Sequence, residues 1–549
     1  MQSPKCNRFF EAIPAILTWA TLLGMVIASK FAPVWAAVFI IIFDTYWFFK
    51  TLFLSLHLRY AFNETKANLG INWLEKMKEI NTVGSVRNDG VVGDELVEQA
   101  KRSNEHGDQP ARTSWQDIYH LIVIPMSVEP YEVMRETFKT LRDMNYPKDK
   151  VMIALSAEDR IKESVEITSR IKEEFGGDFY KFLVTLHPAN REGEIIGSGA
   201  NETWGAMEAK RLLIDPENIP YEKILLSVFD ADTQIPADYF GRLMYCFLTA
   251  EKPDKSSYQP IPLYNNNIYE APALGRVVSL SATFWHMLQQ ARAEKVTTFS
   301  SQSMPFKALI DVGYWHTNVV SDDSRIFWQL YLHYDGDWRV VPMFYPVSMD
   351  ANVAPTLFGT MKNIYKQQRR WAWGVENIPY LLSGLIKNKK ISFWKKLSWT
   401  FNKIEGFHSW ATNAILIFAL GWLPVMLGGE SFNQTLLSFN LPNITRIIMT
   451  FASIGIISSA VLGIALLPSR PEWFKFRHKI LYVIQWALLP LSMIVFGAFP
   501  AIDAQTRLAL GGKFRLGFWI TPKNRSNPKA RKGVIEKRGI SMRAQNKNR

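Results

Sequence analysis

The sequence predicts an α/β domain with a mainly parallel sheet, inserted between α-helical transmembrane segments. Three observations carry that prediction. Strongly apolar stretches occupy both ends of the 549-residue chain, and a charged, mixed region separates them. Within that region short apolar runs alternate with helical spacing, the pattern of βα units. One of those runs ends in a pair of carboxylates, Asp230 and Asp232.

The apolar stretches are Ile13–Ala28, Val34–Leu56, Ala411–Leu427, Ile444–Leu467 and Ile480–Ala501. Each approaches the roughly 20 residues needed to cross a hydrocarbon core. Lys5 and Arg8 before the first stretch resemble a signal peptide, but a second span follows almost at once, across Ser29–Pro33. Residues 1–58 therefore read as a retained transmembrane hairpin. The same two cations place the N-terminus inside, so the chain returns to the cytoplasm at Arg59. Residues 408–505 form the second membrane region. Its connection Gly428–Asn443 lacks Lys and Arg and suits the outside, whereas Ser469–Lys479 is basic and suits the inside. A plain final span would leave the tail, 506–549, outside. Pro490 and Pro500 interrupt that segment, so a broken or re-entrant path and a cytoplasmic tail are expected. The whole reads as a multi-pass integral protein of the cell (plasma) membrane with a cytoplasmic soluble domain.

The net charge of +13 gathers after Arg507, where Glu536 is the sole acid. Such charge suits anionic membrane lipid better than nucleic acid. Two cysteines, Cys6 and Cys246, make no disulfide framework. Cys246 reads as a packed small residue, and Cys6 lies where acylation can occur.

In the soluble region, 59–118 reads as a linker or insertion: a helix over Leu69–Met77, then polar Thr82–Ser114. Regular structure is expected over 119–375, with interfacial helices at 376–407. Strands are expected at His120–Pro125, Val151–Leu155, Phe182–Leu186 and Ile224–Phe229. Helices are expected at Tyr131–Asn145, Ser164–Phe175 and Asn201–Arg211. Parallel sheets bind ligands beyond their C-terminal strand ends. Glu129, Glu158, Asp230 and Asp232 all fall just there. In an extended strand, residues i and i+2 face one side, and Mg²⁺ takes one or two carboxylates plus substrate phosphates. Turn chemistry is the plainer reading of such a pair.

Three further motifs follow in order: Ser321-Asp322-Asp323 before an amphipathic helix at Ile326–Leu332, Gln367-Gln368-Arg369-Arg370-Trp371, and Phe518-Trp519-Ile520-Thr521-Pro522-Lys523. Singly they read as a helix cap, a basic juxtamembrane belt and an aromatic anchor. Together, from His120 to Lys523, they resemble the membrane-bound family 2 glycosyltransferases, the class of cellulose, chitin and hyaluronan synthases. Asp230-Ala231-Asp232 resembles the family's Asp-x-Asp, Ser321-Asp322-Asp323 its Thr-Glu-Asp, and Gln367 to Trp371 its Gln-x-x-Arg-Trp. Phe518 to Lys523 is similar to the Phe-x-Val-Thr-x-Lys gating loop.

The resemblance implies a GT-A-like nucleotide-sugar-binding domain that uses Mg²⁺ or Mn²⁺ on Asp230 and Asp232. It makes Asp323 the general base and Arg370 the stabiliser of the leaving diphosphate, with Gln367 and Trp371 shaping the acceptor end. Glu129, Glu158, Asp230 and Ser198 then border the donor, and Phe518, Thr521 and Lys523 belong to the gate. The implied reaction inverts an α-linked UDP-sugar into a growing β-linked polysaccharide, with translocation. The alternatives are transfer of one sugar to a lipid or lipid-linked acceptor, and a non-catalytic membrane scaffold or transporter. The small membrane set leaves room for a partner subunit or a homo-oligomer. Two departures stand out: Ala157-Glu158-Asp159 replaces the family's Asp-Asp-Gly, and Ser198 replaces its phosphate-side Lys. Trp285, Phe299, Trp315, Trp328 and Trp338 are expected to be mostly core, with one or two along a glycan path. Phe299 to Ser303 is read as an acceptor rim.

Overall fold

A computed structural model describes residues 4–83 and 114–522. Most of the expected insertion, Lys523 and the basic tail beyond it lie outside the described residues. Strands β1 (Tyr119–Met126), β2 (Val151–Glu158), β3 (Lys181–His187) and β4 (Ile224–Val228) run parallel in the spatial order β3-β2-β1-β4. The chain builds outward from β1 to β3 and then returns to the other side of β1. That reversal opens a crevice beyond the C-terminal ends of β1 and β4, where α/β sheets bind their ligands.

Three strands that the apolar pattern did not reveal extend the sheet past β4: β5 (Ser256–Tyr264), β6 (Ser303–Pro305) and β7 (Arg339–Met349), in the order β6-β5-β7. β6 is antiparallel to both neighbours, and β5 and β7 are parallel. Prolines at 260, 262, 342 and 346 argue against central strands. They are accommodated because β5 meets β6 only at Tyr258, β7 ends the sheet, and the β5/β7 register slips between Gln259 and Ile261.

The longer helices are α1 (Pro4–Phe31), α2 (Pro33–Leu69), α3 (Trp73–Val83), α4 (Tyr131–Arg142), α5 (Lys162–Phe175), α6 (Ser198–Ala209), α7 (Tyr239–Thr249), α8 (Ala273–Gln290), α9 (Asp322–His333), α10 (Leu357–Ala372), α11 (Phe393–Ile415), α12 (Leu436–Ala465) and α13 (Phe499–Leu510). Alternate residues of β1 feed two cores, as a period of two requires. Leu121 and Val123 pack with Ala206 of α6 and Ile326 of α9. Ile122 and Ile124 pack with Phe138 of α4 and Phe240 of α7. Trp315, Trp328 and Trp338 are buried in the first of these cores, so they are packing residues and line no glycan path; Trp285 stays half exposed. Cys246 is buried, as expected.

Among the described residues, Arg8–Phe31, Pro33–Leu69 and Phe476–Leu510 are long and apolar enough to cross a membrane by length and composition. Over the expected span at Ala411–Leu427, α11 continues past Ile415 as a π-helical segment, Leu416–Leu420, and a turn then leads into a short helix, Leu423–Leu427. Pro490 and Pro500 each sit at the start of a helix, where proline is tolerated. Phe476–Leu510 nonetheless runs on as one helical stretch of 35 residues, so the broken or re-entrant path expected from these prolines is not seen. α13 packs along α1, with Arg8 donating to the carbonyl of Ala509 at 2.6 Å, so the N-terminal helix begins beside the start of the tail.

α2 holds 37 residues, about 55 Å of helix at 1.5 Å per residue. A hydrocarbon core takes about 30 Å, and the surplus enters the soluble domain. Leu58 and Ala61 pack there with Ile261, Leu263 and Phe284, and Asn68 donates to the carbonyl of Phe344. Trp73 of α3 then seals the junction against α7. A Cβ at Gly241 would stand 2.9 Å from the Trp73 Cβ. Gly241→Ala is therefore expected to destabilise by about 1–3 kcal/mol, read as an earlier thermal midpoint in detergent. Gly177→Ala, where a Cβ meets nothing within 4 Å, should melt with the parent.

Candidate active site

β4 stops at Val228, two residues short of Asp230, so the carboxylate pair rides on a turn and not on extended strand. Thr233 N–H donates to the Asp230 carbonyl at 2.9 Å and closes that turn. Asp232 is fully buried, and its Oδ2 accepts the Asp350 N–H at 2.8 Å. Ser300 Oγ donates to Asp230 Oδ2 at 2.9 Å. The polar patch expected to rim an acceptor thus serves as scaffold. Ser301, Gln302 and Ser303 are buried, and Thr298 Oγ1 and Gln302 Nε2 donate to the Asp323 carbonyl at 2.6 and 3.1 Å.

Asp322 and Asp323 open α9, in its first turn and not at its cap, which is Ser321. Acids there are favoured by the helix dipole. Burial outweighs that gain. It pushes the Asp323 carboxyl well above the usual carboxylate range, and the charges of Asp322 and Asp230 push further, while Arg370 pulls it back. Asp322 is raised chiefly by burial, against hydrogen bonds from Ser198 and the Asp323 amide and the charge of Arg370. Ser198, expected beside the donor phosphates, donates to Asp322 Oδ2 at 2.6 Å. The starts of α6 and α9 meet closely here: a Cβ on Gly199 would lie 2.7 Å from the same oxygen.

Sequence reasoning missed Glu202, on the same helix. It is 2% exposed, and its Oε2 has no hydrogen-bond partner among the described residues. Burial, then the charges of Asp322, Asp323 and Asp230, hold it well above the ordinary range. Adjacent Asn201 donates to the carbonyls of Met126 and Ser156 at 3.1 and 2.8 Å, tying the ends of β1 and β2. Glu376 was also missed. It accepts from Val320 N, Ser321 N and Ser321 Oγ at 2.9, 2.9 and 2.7 Å, so the turn after α10 clamps the loop that presents Asp322 and Asp323. No motif signalled either residue, because both act across the fold.

Arg370 extends from α10 into this group, with its guanidinium 4.8 Å from the Phe518 ring. Its Nε has no partner among the described residues. Phe518 also lies against Gly197, where a Cβ would approach the ring to 3.1 Å, and Lys366 stands over Trp519 at 5.2 Å. The gate-like segment thus rests on the mouth of the site, and Thr521 is buried. Lys523 lies outside the described residues. Gln367 and Trp371 line a cleft with Tyr264, whose ring centroid is 5.5 Å from that of Trp371.

Two expected donor contacts stand differently. Glu158 pairs with Arg160, and Glu129 folds back to accept from Ser127 N at 2.7 Å. Both sit at strand ends, with these carboxylate oxygens committed to their own loops.

A divalent cation fits the donor set. Asp230 and Asp232 offer hard carboxylate oxygens, and Asp230, Asp322, Asp323 and Glu202 crowd negative charge that Arg370 opposes. Among the described residues, no three His, Cys, Asp or Glu side chains form a cage on their own. A cation completed by a diphosphate needs none.

Residues 225–497 match the model of the glycosyl transferase family group 2. A poly-β-1,6-N-acetyl-D-glucosamine synthase of Staphylococcus epidermidis is 24% identical over 331 residues, 59% of this chain and 69% of that protein. Its counterpart in Staphylococcus aureus (strain COL) is 33% identical over 87 residues, 16% of this chain and 19% of that protein. Solved structures align loosely. A mannosyltransferase of Pyrobaculum calidifontis with GDP-Man and Mn²⁺ has a TM-score of 0.36 at 14% identity, covering 72% of this chain and 94% of that one. TarS 1–349 of S. aureus with UDP-GlcNAc has a TM-score of 0.33 at 12% identity, covering 64% and 93%. With its motifs drawn together at the sheet's switch point, the chain belongs to the membrane-bound family 2 glycosyltransferases.

Proposed function

We propose that this enzyme is an inverting, metal-dependent synthase that transfers a sugar from a UDP-sugar to a growing β-linked polysaccharide at the membrane. We assign the chemistry to residues 119–375, with the domain on the cytoplasmic side of a multi-pass protein. The observation that supports this most strongly is the electrostatic coupling of Asp323, Arg370 and Asp230, which come from three distant parts of the chain. Asp230 and Asp232 are the residues that would hold Mg²⁺ or Mn²⁺, which when bound supplies Lewis-acid stabilisation to the departing diphosphate. Arg370 meets the same charge with a planar fork whose Nε is unengaged by the described residues.

Asp323 takes the proton from the acceptor hydroxyl as that oxygen attacks the anomeric carbon from the face opposite the diphosphate. One base and one displacement give inversion. Trp371 offers a face for the acceptor sugar, and Phe518 covers the donor side. The β-1,6-N-acetylglucosamine polymer named for the relatives makes UDP-N-acetylglucosamine the first donor to try.

The test is nucleotide release by purified membranes across a panel of nucleotide-sugars, with and without Mg²⁺ or Mn²⁺, with product size read in the same tubes. Metal-dependent turnover with long glycan is expected. Single-sugar products would contradict the polymerase reading, and silence across the panel would contradict glycosyl transfer itself. Asp323→Asn should lower kcat by about 10²–10⁴-fold.

The pH profile has a definite sign. Asp323 acts as a base only when ionised, and its folded pKa is raised, first by burial and then by Asp322 and Asp230. The rate should therefore climb with pH through an elevated apparent pKa and then level. Arg370 favours the ionised form, so Arg370→Gln should move the climbing limb to higher pH besides lowering the plateau. A limb that stays in place, or moves to lower pH, counts against this assignment.

A further inference from the structure

A cleft open to solvent lies beside the acid cluster, walled by Tyr264, Asp350, Asn352, Gln367 and Trp371. Asn352 is 7% exposed, and neither its Nδ2 nor its Oδ1 has a hydrogen-bond partner among the described residues. Burying both ends of an amide unsatisfied opposes folding. Packing alone gives no reason for an asparagine here.

Each neighbouring polar side chain spends at least one hydrogen bond on the fold. Asn267 donates to the Ala351 carbonyl at 3.0 Å and accepts the Ala351 N–H at 2.7 Å. Asn266 Nδ2 reaches both Asp350 Oδ1 and the Asp232 carbonyl at 3.1 Å. Ala354 N–H donates to Thr360 Oγ1 at 2.9 Å. The backbone on both sides of Asn352 is thus pinned, at Ala351 by the turn after β5 and at Ala354 by α10. The side chain is held in place with its hydrogen bonds unspent.

The geometry points to Asn352 as the residue that grips a vicinal diol of the acceptor pyranose, against the aromatic wall of Tyr264 and Trp371. This rests on the glycosyl-transfer reading above. A primary amide presents a donor and an acceptor side by side in one plane. Two adjacent hydroxyls match it, one accepting from Nδ2–H and the other donating to Oδ1. A trans acetamido group points its N–H and C=O in opposite directions and cannot serve both. A neutral amide also suits an uncharged sugar, which brings no charge to be paired. The aromatic rings supply the apolar face that a pyranose needs, and Asn352 supplies the orientation. Terminal residues of a β-1,6-linked N-acetylglucosamine chain keep such a diol at C3 and C4.

The test measures primer kinetics with UDP-N-acetylglucosamine as donor. The primers are a β-1,6-linked N-acetylglucosamine pentasaccharide and the same primer lacking its terminal 4-hydroxyl. Asn352→Leu should raise the KM for the full primer about tenfold or more, since two hydrogen bonds are lost, while the donor KM holds. The deoxy primer should cost the parent enzyme a similar factor and cost Asn352→Leu nothing further. Relief of the buried amide should leave the thermal midpoint of the variant equal to or above the parent's. If Asn352→Leu fails to fold, Asn352→Asp keeps the shape and removes the Nδ2 donor, and it too should raise the primer KM. Unchanged primer KM in the variants, or an undiminished deoxy penalty in Asn352→Leu, overturns the inference with the transferase reading intact. Absence of turnover by the parent enzyme with this donor overturns the inference, and absence across the whole nucleotide-sugar panel overturns both.

Discussion

Mutual repulsion among buried and half-buried carboxyl groups is the constraint around which the rest of the structure is arranged. Glu202, Asp230, Asp322 and Asp323 come from α6, the turn after β4 and the first turn of α9, and each raises or feels the field of the others. Two unit charges 4 Å apart interact by about 4 kcal/mol at an effective dielectric of 20, so such a group persists only if the scaffold holds it. Here it does. Ser198 donates to Asp322, Ser300 to Asp230, and the Asp350 amide to Asp232. Glu376 holds the loop that delivers Asp322 and Asp323. A site built this way gains most from a ligand that brings positive charge, which is the physical reason to expect a cation to arrive with the diphosphate.

The same arrangement explains why the membrane helices pack so closely on the site. α10 carries Arg370 inward to the acids and Arg369 outward to Asp503 of α13, at 2.8 Å. One helix therefore reads the chemistry on one face and the membrane region on the other. Phe518, a few residues beyond α13, closes the loop by stacking on Arg370. Motion of α13 would be felt at Arg370 through two short connections, and the gate-like segment would move with it. The long α2 supplies a second tie, since its C-terminal end is part of the core under β5.

Much of this was legible in the sequence, for identifiable reasons. The parallel half of the sheet showed as apolar runs because β1, β2 and β4 are buried on both faces; β4 begins where its pattern predicts and ends one residue earlier, at Val228. β5 and β7 were illegible because their prolines read as breakers, and only the unpaired stretch of β5 and the edge position of β7 make them tolerable. In the site, Asp230, Asp232, Asp323, Arg370 and Trp371 could be read because they sit in contiguous motifs. Glu202, Glu376 and Asn352 could not, since their meaning lies in neighbours more than 50 residues away or in partners that are missing. The turn carrying Asp230 departs from the expected geometry: the carboxylate pair lies on a closed turn beyond β4, not on alternating residues of the strand.

The central claim is that this acid cluster is completed by a cation held with a diphosphate. The most direct measurement is the affinity of the purified protein for UDP, by calorimetry, with Mn²⁺ and with chelator, in the parent and in Asp232→Asn. The account predicts that Mn²⁺ tightens UDP binding in the parent and that Asp232→Asn abolishes the gain. Equal UDP affinity with Mn²⁺ and with chelator, or a full Mn²⁺ effect in Asp232→Asn, would contradict it.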